Sequence, residues 1–381
     1  MLVTIMRRPD SRGLKAGNLN YAIATAVREE FIVVCDADEV LPEDFVARIL
    51  CELELDKLAF VQCRHTARNP AQSWFEEVLG PAIDVFYKFT LPSRNRFGFT
   101  CCFGHGLLVR RSAWELVGGF PEVACEDLGF TMLAASAGLE GRFADEPTGF
   151  EAFPKTYSAL RAKYRRIIAG TIDCFRLYGV RLLSFAHVSL VEKLDFMMTF
   201  STCYLHLVAM VNVAGALALG WFQEMSGHAQ PLGWLLAVYL VGPLTPVLPL
   251  ISQAVSKPRR MGRFAILASV AYASMTPLLA ITSFLQTIRP KPVSFVPTGA
   301  VSRRPQKLRH HIWTLITGVA IVIVALVLKS KVLAPSLALG LMFVVGLLLT
   351  QVDRDGVVGW TARRVATIPY IALVVLLLLS D

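Results

Sequence analysis

Residues 31–39 read FIVVCDADE: an unbroken apolar run rich in β-branched side chains, then Cys35, then acids at positions 36, 38 and 39. Such a run fits a strand buried on both faces, and the acids mark where it leaves the core. Downstream, PEDFVARILCELE (42–54) has Pro and acids where a helix begins, and FVQCRH (60–65) reads as the next strand. Upstream, KAGNLNYAIATAVREE (15–30) places Leu19, Ala22, Ile23 and Val27 at helical spacing, and LVTIM (2–6) reads as a short apolar strand. Strand and helix alternate, which predicts an α/β domain with a largely parallel sheet.

Beyond about residue 195 the character of the chain changes. Of 381 residues 54% are hydrophobic and only 18% charged, where soluble domains carry nearer a quarter. Apolar stretches fall at 197–222, 232–252, 264–288, 312–329, 333–351 and 365–380, and about 20 such residues span a bilayer. The net charge of +9 gathers between them, in SKPRRMGR (256–263) and SRRPQKLRHH (302–311). That placement fits cytoplasmic loops of a membrane protein and argues against nucleic acid as a partner. Basic clusters flank 264–288 on both sides, and the segment contains Pro277, Ser269, Ser274 and Thr276. It is therefore expected to be interfacial or re-entrant, leaving about five crossings. The predicted organisation is a cytoplasmic domain at 1–180, an interfacial amphipathic helix at 181–196 and a transmembrane domain at 197–381. Membrane lipid is an expected partner, and the expected location is the inner membrane, multi-pass.

Three stretches carry chemistry. Asp36 and Asp38 lie at the carboxyl end of a buried strand, where open α/β sheets bind ligands. Two hard-oxygen donors there suit Mg²⁺ or Mn²⁺ bridging a diphosphate, although acids after a strand also serve simply as turn or helix-start residues. Glu126 and Asp127 in ACEDLGFTMLAASAG open a helix. They either complement its dipole or supply a general base for an acceptor hydroxyl. Lys15 in KAGNLN precedes a helix, where an ammonium and free N–H groups can meet phosphate.

Taken in order with GHGLLVRRSAWELVGGFPE (104–122), these motifs resemble membrane-bound glycosyltransferase family 2, the group that includes cellulose synthase and other polysaccharide or glucan synthases. The resemblance covers residues 2 to about 180 and, more loosely, the apolar part. It implies a GT-A-type domain followed by an α-helical transmembrane domain. It also implies an inverting hexosyltransferase using a nucleotide sugar, of UDP-hexose type, and a saccharide acceptor. On that resemblance Lys15, Asp36, Asp38 and Arg166 would bind the donor and Asp38 the metal. Asp127, with Glu126 beside it, would be the base, and His105, Lys163 and Ile167 would lie on the acceptor side.

Two departures bear on this reading. Where family synthases carry Q-x-x-R-W, this chain has KYRRI: Arg166 keeps its position while Lys163 and Ile167 replace Gln and the acceptor-stacking Trp. FVPTG (295–299) resembles the loop that covers the donor, with Ala300 where a Lys usually follows. The chain also opens at what would be the family's third strand, so a truncated or misassigned start is expected. The alternative reading is a non-catalytic membrane subunit, with subunits of a synthase complex as partners. A transporter is disfavoured by the scarcity of charge within the apolar stretches.

Overall fold

The computed structural model describes residues 4–10, 12–53, 57–68, 71, 73–226, 257–291 and 312–328, with shorter pieces between 337 and 371. The α/β part opens with helix α1 (Leu14–Thr25), followed by β1 (Phe31–Val34), α2 (Phe45–Leu50) and β2 (Leu58–Ala67). Short helical turns between Trp74 and Phe97 lead to β3 (Leu107–Arg110) and α3 (Arg111–Val117). Then come α4 (Glu126–Ala135), β4 (Glu140–Glu151) and the long helix α5 (Tyr157–Cys174).

The four strands lie in the order β1-β3-β2-β4. β3 runs antiparallel to both β1 and β2, with Phe31 opposite Arg110 and Phe60 opposite Val109; only β2 and β4 are parallel. The sheet is thus mixed, which corrects the expected largely parallel one. The run FIVV is apolar because both faces are covered. Ile32 and Val34 pack with Ala16, Phe120 and Phe130 on one side, while Phe31 and Val33 pack with Phe45 and Ile49 on the other. Two-sided burial produces a continuous apolar strand whichever way its neighbour runs.

β1 ends at Val34, and residues 35–39 form a turn instead of extending the strand to Glu39. Residues 4–6 of the expected strand LVTIM have no strand partner among the described residues, and Ile5 is exposed.

After α5, a short helix at Val180–Ser184 precedes α6 (Leu190–Thr202). The Ser189 side chain accepts from the Glu192 amide and Glu192 caps in return, which fixes the start of α6 at residue 190. Its exposed residues include Leu190, Val191, Leu194 and Met198. A break at Cys203–Tyr204 separates it from α7 (Leu205–Ser226), so the stretch 197–222 is not one helix.

Residues 264–288, expected to be interfacial or re-entrant, belong to one uninterrupted helix, α8 (Pro258–Ile288), with no reversal in it. Polar side chains along it are contact points. Tyr157 of α5 hydrogen-bonds Ser274, Tyr164 donates to Tyr272 at 3.3 Å, and Gln286 donates to Asp173 at 2.8 Å. α7 and α8 are both long and apolar enough to cross a membrane; 17% of the apolar window of α7 is buried within the protein against 72% for α8. Helix α9 (Ile312–Leu328) packs against α7 and α8. The stretches 232–252 and 295–299, and most of 333–351 and 365–380, lie outside the described residues.

Candidate active site

Lys15 occupies the first turn of α1 and points at the end of β1. Its Nζ donates to Asp36 Oδ1 at 2.6 Å and to the Gly104 carbonyl at 2.8 Å, and stands 3.8 Å from Glu126 Oε1. Burial would lower the Lys15 pKa, but the charges of Asp36, Glu126 and Asp127 and the hydrogen bond to Asp36 outweigh it, so the net shift is upward. Lys15 therefore stays an ammonium among carboxylates.

Gly104 makes this approach possible. Its φ of 73° is left-handed, and an added Cβ would lie 3.2 Å from Lys15 Nζ, 3.4 Å from Glu126 Oε1 and 3.5 Å from Asp127 Cβ. One glycine thus marks the point where Lys15, Glu126 and Asp127 meet.

Both acids sit in the first turn of α4, where the helix dipole favours negative charge. Glu126 is buried, and that burial, with the charge of Asp127 added, raises its carboxyl to about 7 against the offsetting charges of Lys15 and Arg166. Asp127 is half-buried; its Oδ1 accepts the Leu128 amide at 2.8 Å, leaving the other oxygen without a partner among the described residues.

The expected donor-side residues separate into two environments. Asp36 is turned toward Lys15. Asp38 is exposed on the turn and has no hydrogen-bond or ionic partner among the described residues. An exposed carboxylate two residues from a second one offers hard-oxygen donors of the type that Mg²⁺ or Mn²⁺ takes. Arg166 on α5 is near enough for its charge to act on Glu126. Ile167 presents its carbonyl to Cys125 Sγ at 3.8 Å, just ahead of the acids, while Lys163, a turn earlier, has no polar partner among the described residues.

His105 lies on the far side of Gly104 in a cluster the sequence reading did not assemble. Glu39 Oε1 hydrogen-bonds His65 Nε2, and His105 Nδ1 lies 3.2 Å from His65 Nε2 and 3.6 Å from Glu39 Oε1. His105 Nε2 is 3.4 Å from Glu151 Oε2. The second Glu39 oxygen accepts the amides of Asp36 at 3.2 Å and Gly106 at 3.1 Å. Burial would raise the Glu39 carboxyl, but hydrogen bonds from His105 and His65, and their charges, hold it at about 2. Burial would lower His105, and the hydrogen bond to Glu39 with the charges of Glu151, Glu39 and Asp36 raises it instead. Glu39, His65 and Glu151 were missed because 26 residues separate the first two and 40 separate the two histidines. The one local signal was Glu39 directly after DAD.

A family model described as glycosyl transferase family group 2 matches residues 31–285. It covers about two thirds of the chain, from β1 through most of α8, and the chain belongs to that transferase family. It is 24% identical over 231 residues to the cellulose synthase 1 catalytic subunit [UDP-forming] of Komagataeibacter xylinus. That match takes in 59% of this chain and 31% of the relative, so the chain spans about a third of the relative's length. It also superimposes on the mannosyltransferase PcManGT from Pyrobaculum calidifontis, solved in complex with GDP-Man and Mn²⁺. The TM-score is 0.47 and the identity 20%, over 76% of this chain and 70% of that one.

Proposed function

We propose that residues 1–180 are the GT-A-type catalytic unit of an inverting glycosyltransferase. It moves a hexose from a nucleotide sugar, of UDP-hexose type, to a saccharide acceptor in polysaccharide or glucan synthesis. The observation that carries this reading is the placement of Lys15, bonded to Asp36 and to the Gly104 carbonyl and close to Glu126, with Asp127 near enough for its charge to act on it and the exposed Asp38 two residues on from Asp36. The cellulose synthase relative, named as UDP-forming, supports the choice of nucleotide.

The reaction has two difficulties: an alcohol is a weak nucleophile at neutral pH, and a diphosphate carries its charge away reluctantly. Lys15 answers the second by offering an ammonium that can turn from Asp36 to a phosphate oxygen. Asp38 and Asp36 would hold Mg²⁺ or Mn²⁺, which when bound neutralises charge on the leaving diphosphate. Asp127 answers the first: its second oxygen, without a partner among the described residues, can accept the acceptor's hydroxyl proton while the Leu128 amide fixes the carboxylate. Glu126, with its carboxyl near 7, keeps negative charge low beside the incoming diphosphate when it is protonated. Arg166 adds positive charge on the same side. Attack in line from the acceptor face inverts the anomeric carbon, so an α-linked donor yields a β-linkage. Lys163 and Ile167 line the acceptor side in this reading.

The unit is proposed to work at the cytoplasmic face of the inner membrane. Residues 181–196 lie along its surface and residues 197–381 are embedded in it. The exposed apolar side chains of α7, among them Val208, Val211, Leu219, Trp221 and Phe222, support this placement. The test is UDP release from UDP-glucose by the detergent-solubilised chain, with saccharide acceptors and with Mg²⁺ or Mn²⁺. Acceptor-stimulated, cation-dependent release is expected. Donor binding without release, whatever the acceptor, would instead favour a non-catalytic subunit of a synthase complex.

A further inference from the structure

We propose that Glu39, His65 and His105 form a second metal site, distinct from the Asp36–Asp38 pair, that takes a borderline divalent cation such as Zn²⁺. The three ligand atoms, Glu39 Oε1, His65 Nε2 and His105 Nδ1, all lie within 4.8 Å of one another. A tetrahedral Zn²⁺ with ordinary Zn–N and Zn–O bonds holds its ligand atoms about 3.3 Å apart. Two edges here, 3.2 Å between the histidine nitrogens and 3.6 Å between His105 and Glu39, match that spacing. The third edge is closer and is a hydrogen bond between Glu39 and His65.

The proton count points the same way. Glu151 Oε2 faces His105 Nε2 at 3.4 Å. A carboxylate there can keep a proton on Nε2 when a cation displaces the one Nδ1 shares with Glu39, which frees the Nδ1 lone pair as a ligand. Without a cation, Glu39 and the two imidazoles must share protons within this small space. A cation at the place of those protons would satisfy all three groups. Glu151 would be the outer carboxylate that orients a ligating histidine, a pairing typical of metal sites. Glu39 would be held by the Asp36 and Gly106 amides through its other oxygen.

The ring of His65 is also given room. It pairs with Gly149 across β2 and β4, where a Cβ would lie 2.9 Å from Nε2, and a Cβ on Gly106 would lie 2.4 Å from Cε1. The Glu39 and His65 side chains are 1% and 0% exposed, so a bound ion would be shielded from bulk water and would exchange slowly. Two imidazoles and one carboxylate suit Zn²⁺ better than Mg²⁺, which prefers oxygen donors. Such an ion would tie the turn after β1 to β2 and to the loop before β3, with Glu151 at the end of β4 as its outer partner. It would thereby position Asp36 without touching substrate.

This site does not depend on the transferase reading, because its test needs no turnover. The detergent-solubilised full chain, purified without an affinity metal and stripped of loose ions, is assayed for metal content and then titrated with Zn²⁺ and with Co²⁺ as a spectroscopic probe. About one equivalent bound per chain, with visible cobalt bands of low-coordinate geometry, is expected. Asp38→Asn should keep the ion and His105→Ala should lose it. Glu151→Gln, which leaves the three ligands in place, should weaken binding about 10–100-fold. Should His105→Ala misfold, the parent's stoichiometry and the Glu151→Gln titration decide. A folded parent that takes up neither ion, or a His105→Ala chain that binds as tightly as the parent, overturns the proposal.

Discussion

The two walls that meet at Gly104 are built on opposite terms. On the Lys15 wall a half-buried ammonium is bonded to Asp36 and lies close to Glu126, while Asp38 and Asp127 keep carboxylate oxygens without partners among the described residues. On the His65 wall the carboxylate and both imidazoles bond one another, and Glu39 reaches back to hold the Asp36 amide. The first wall is arranged to receive charge and the second to hold the first in register. Substitutions on the Lys15 wall should therefore change chemistry and ligand affinity, and those on the His65 wall should show first in stability.

Asp127→Asn should lower turnover by about 10²–10⁴ with donor affinity nearly intact. Steady-state rates with separately measured donor binding check this, and activity within a few-fold of the parent would reduce Asp127 to a helix-start acid. Lys15→Met should weaken donor binding about 10–100-fold, the usual worth of a hydrogen bond to a charged group. Titration with UDP-glucose reads it directly.

How much of this was legible in the sequence follows the same division. Lys15, Asp36, Asp38, Glu126 and Asp127 stood out because each lies at the end of a strand or the start of a helix, where local pattern carries meaning. The His65 wall showed only His105 in the GHG stretch and Glu39 directly after DAD, since its members come from separate strands and loops and meet only when the sheet forms. Strand direction was hidden by the helices on both faces of β1, which make its residues apolar regardless of pairing. In α8 the sequence showed small polar residues and basic flanks, which read as reluctance to enter lipid. The structure turns Ser274 and Gln286 toward α5. Composition does not separate burial against protein from burial against lipid.

Glu126 gives a pH-dependent contrast between the walls. Its carboxyl titrates near 7 when folded, against about 4.5 when unfolded, because burial and Asp127 disfavour its charge. The folded state thus holds the proton more tightly, so its contribution to stability is full below about 4.5 and is lost as pH rises through 7. Thermal unfolding of Glu126→Gln should show a gain over the parent that grows across this window and levels off above it. A gain that is constant with pH would contradict the assignment. The smallest effect expected lies away from both walls. Tyr157→Phe removes the hydrogen bond to Ser274, whose hydroxyl still donates to the Ala271 carbonyl. A loss of about 1 kcal/mol in unfolding free energy is expected, with donor binding unchanged.

The most direct measurement of the central claim is calorimetric titration of UDP-glucose into the parent and Asp38→Asn chains, each with Mg²⁺ or Mn²⁺ and again in EDTA. The account predicts binding by the parent that requires the cation, and none by the Asp38→Asn chain under either condition. Equal affinity in parent and variant, or affinity that survives EDTA, would contradict the assignment of Asp38 and with it the donor site built around Lys15.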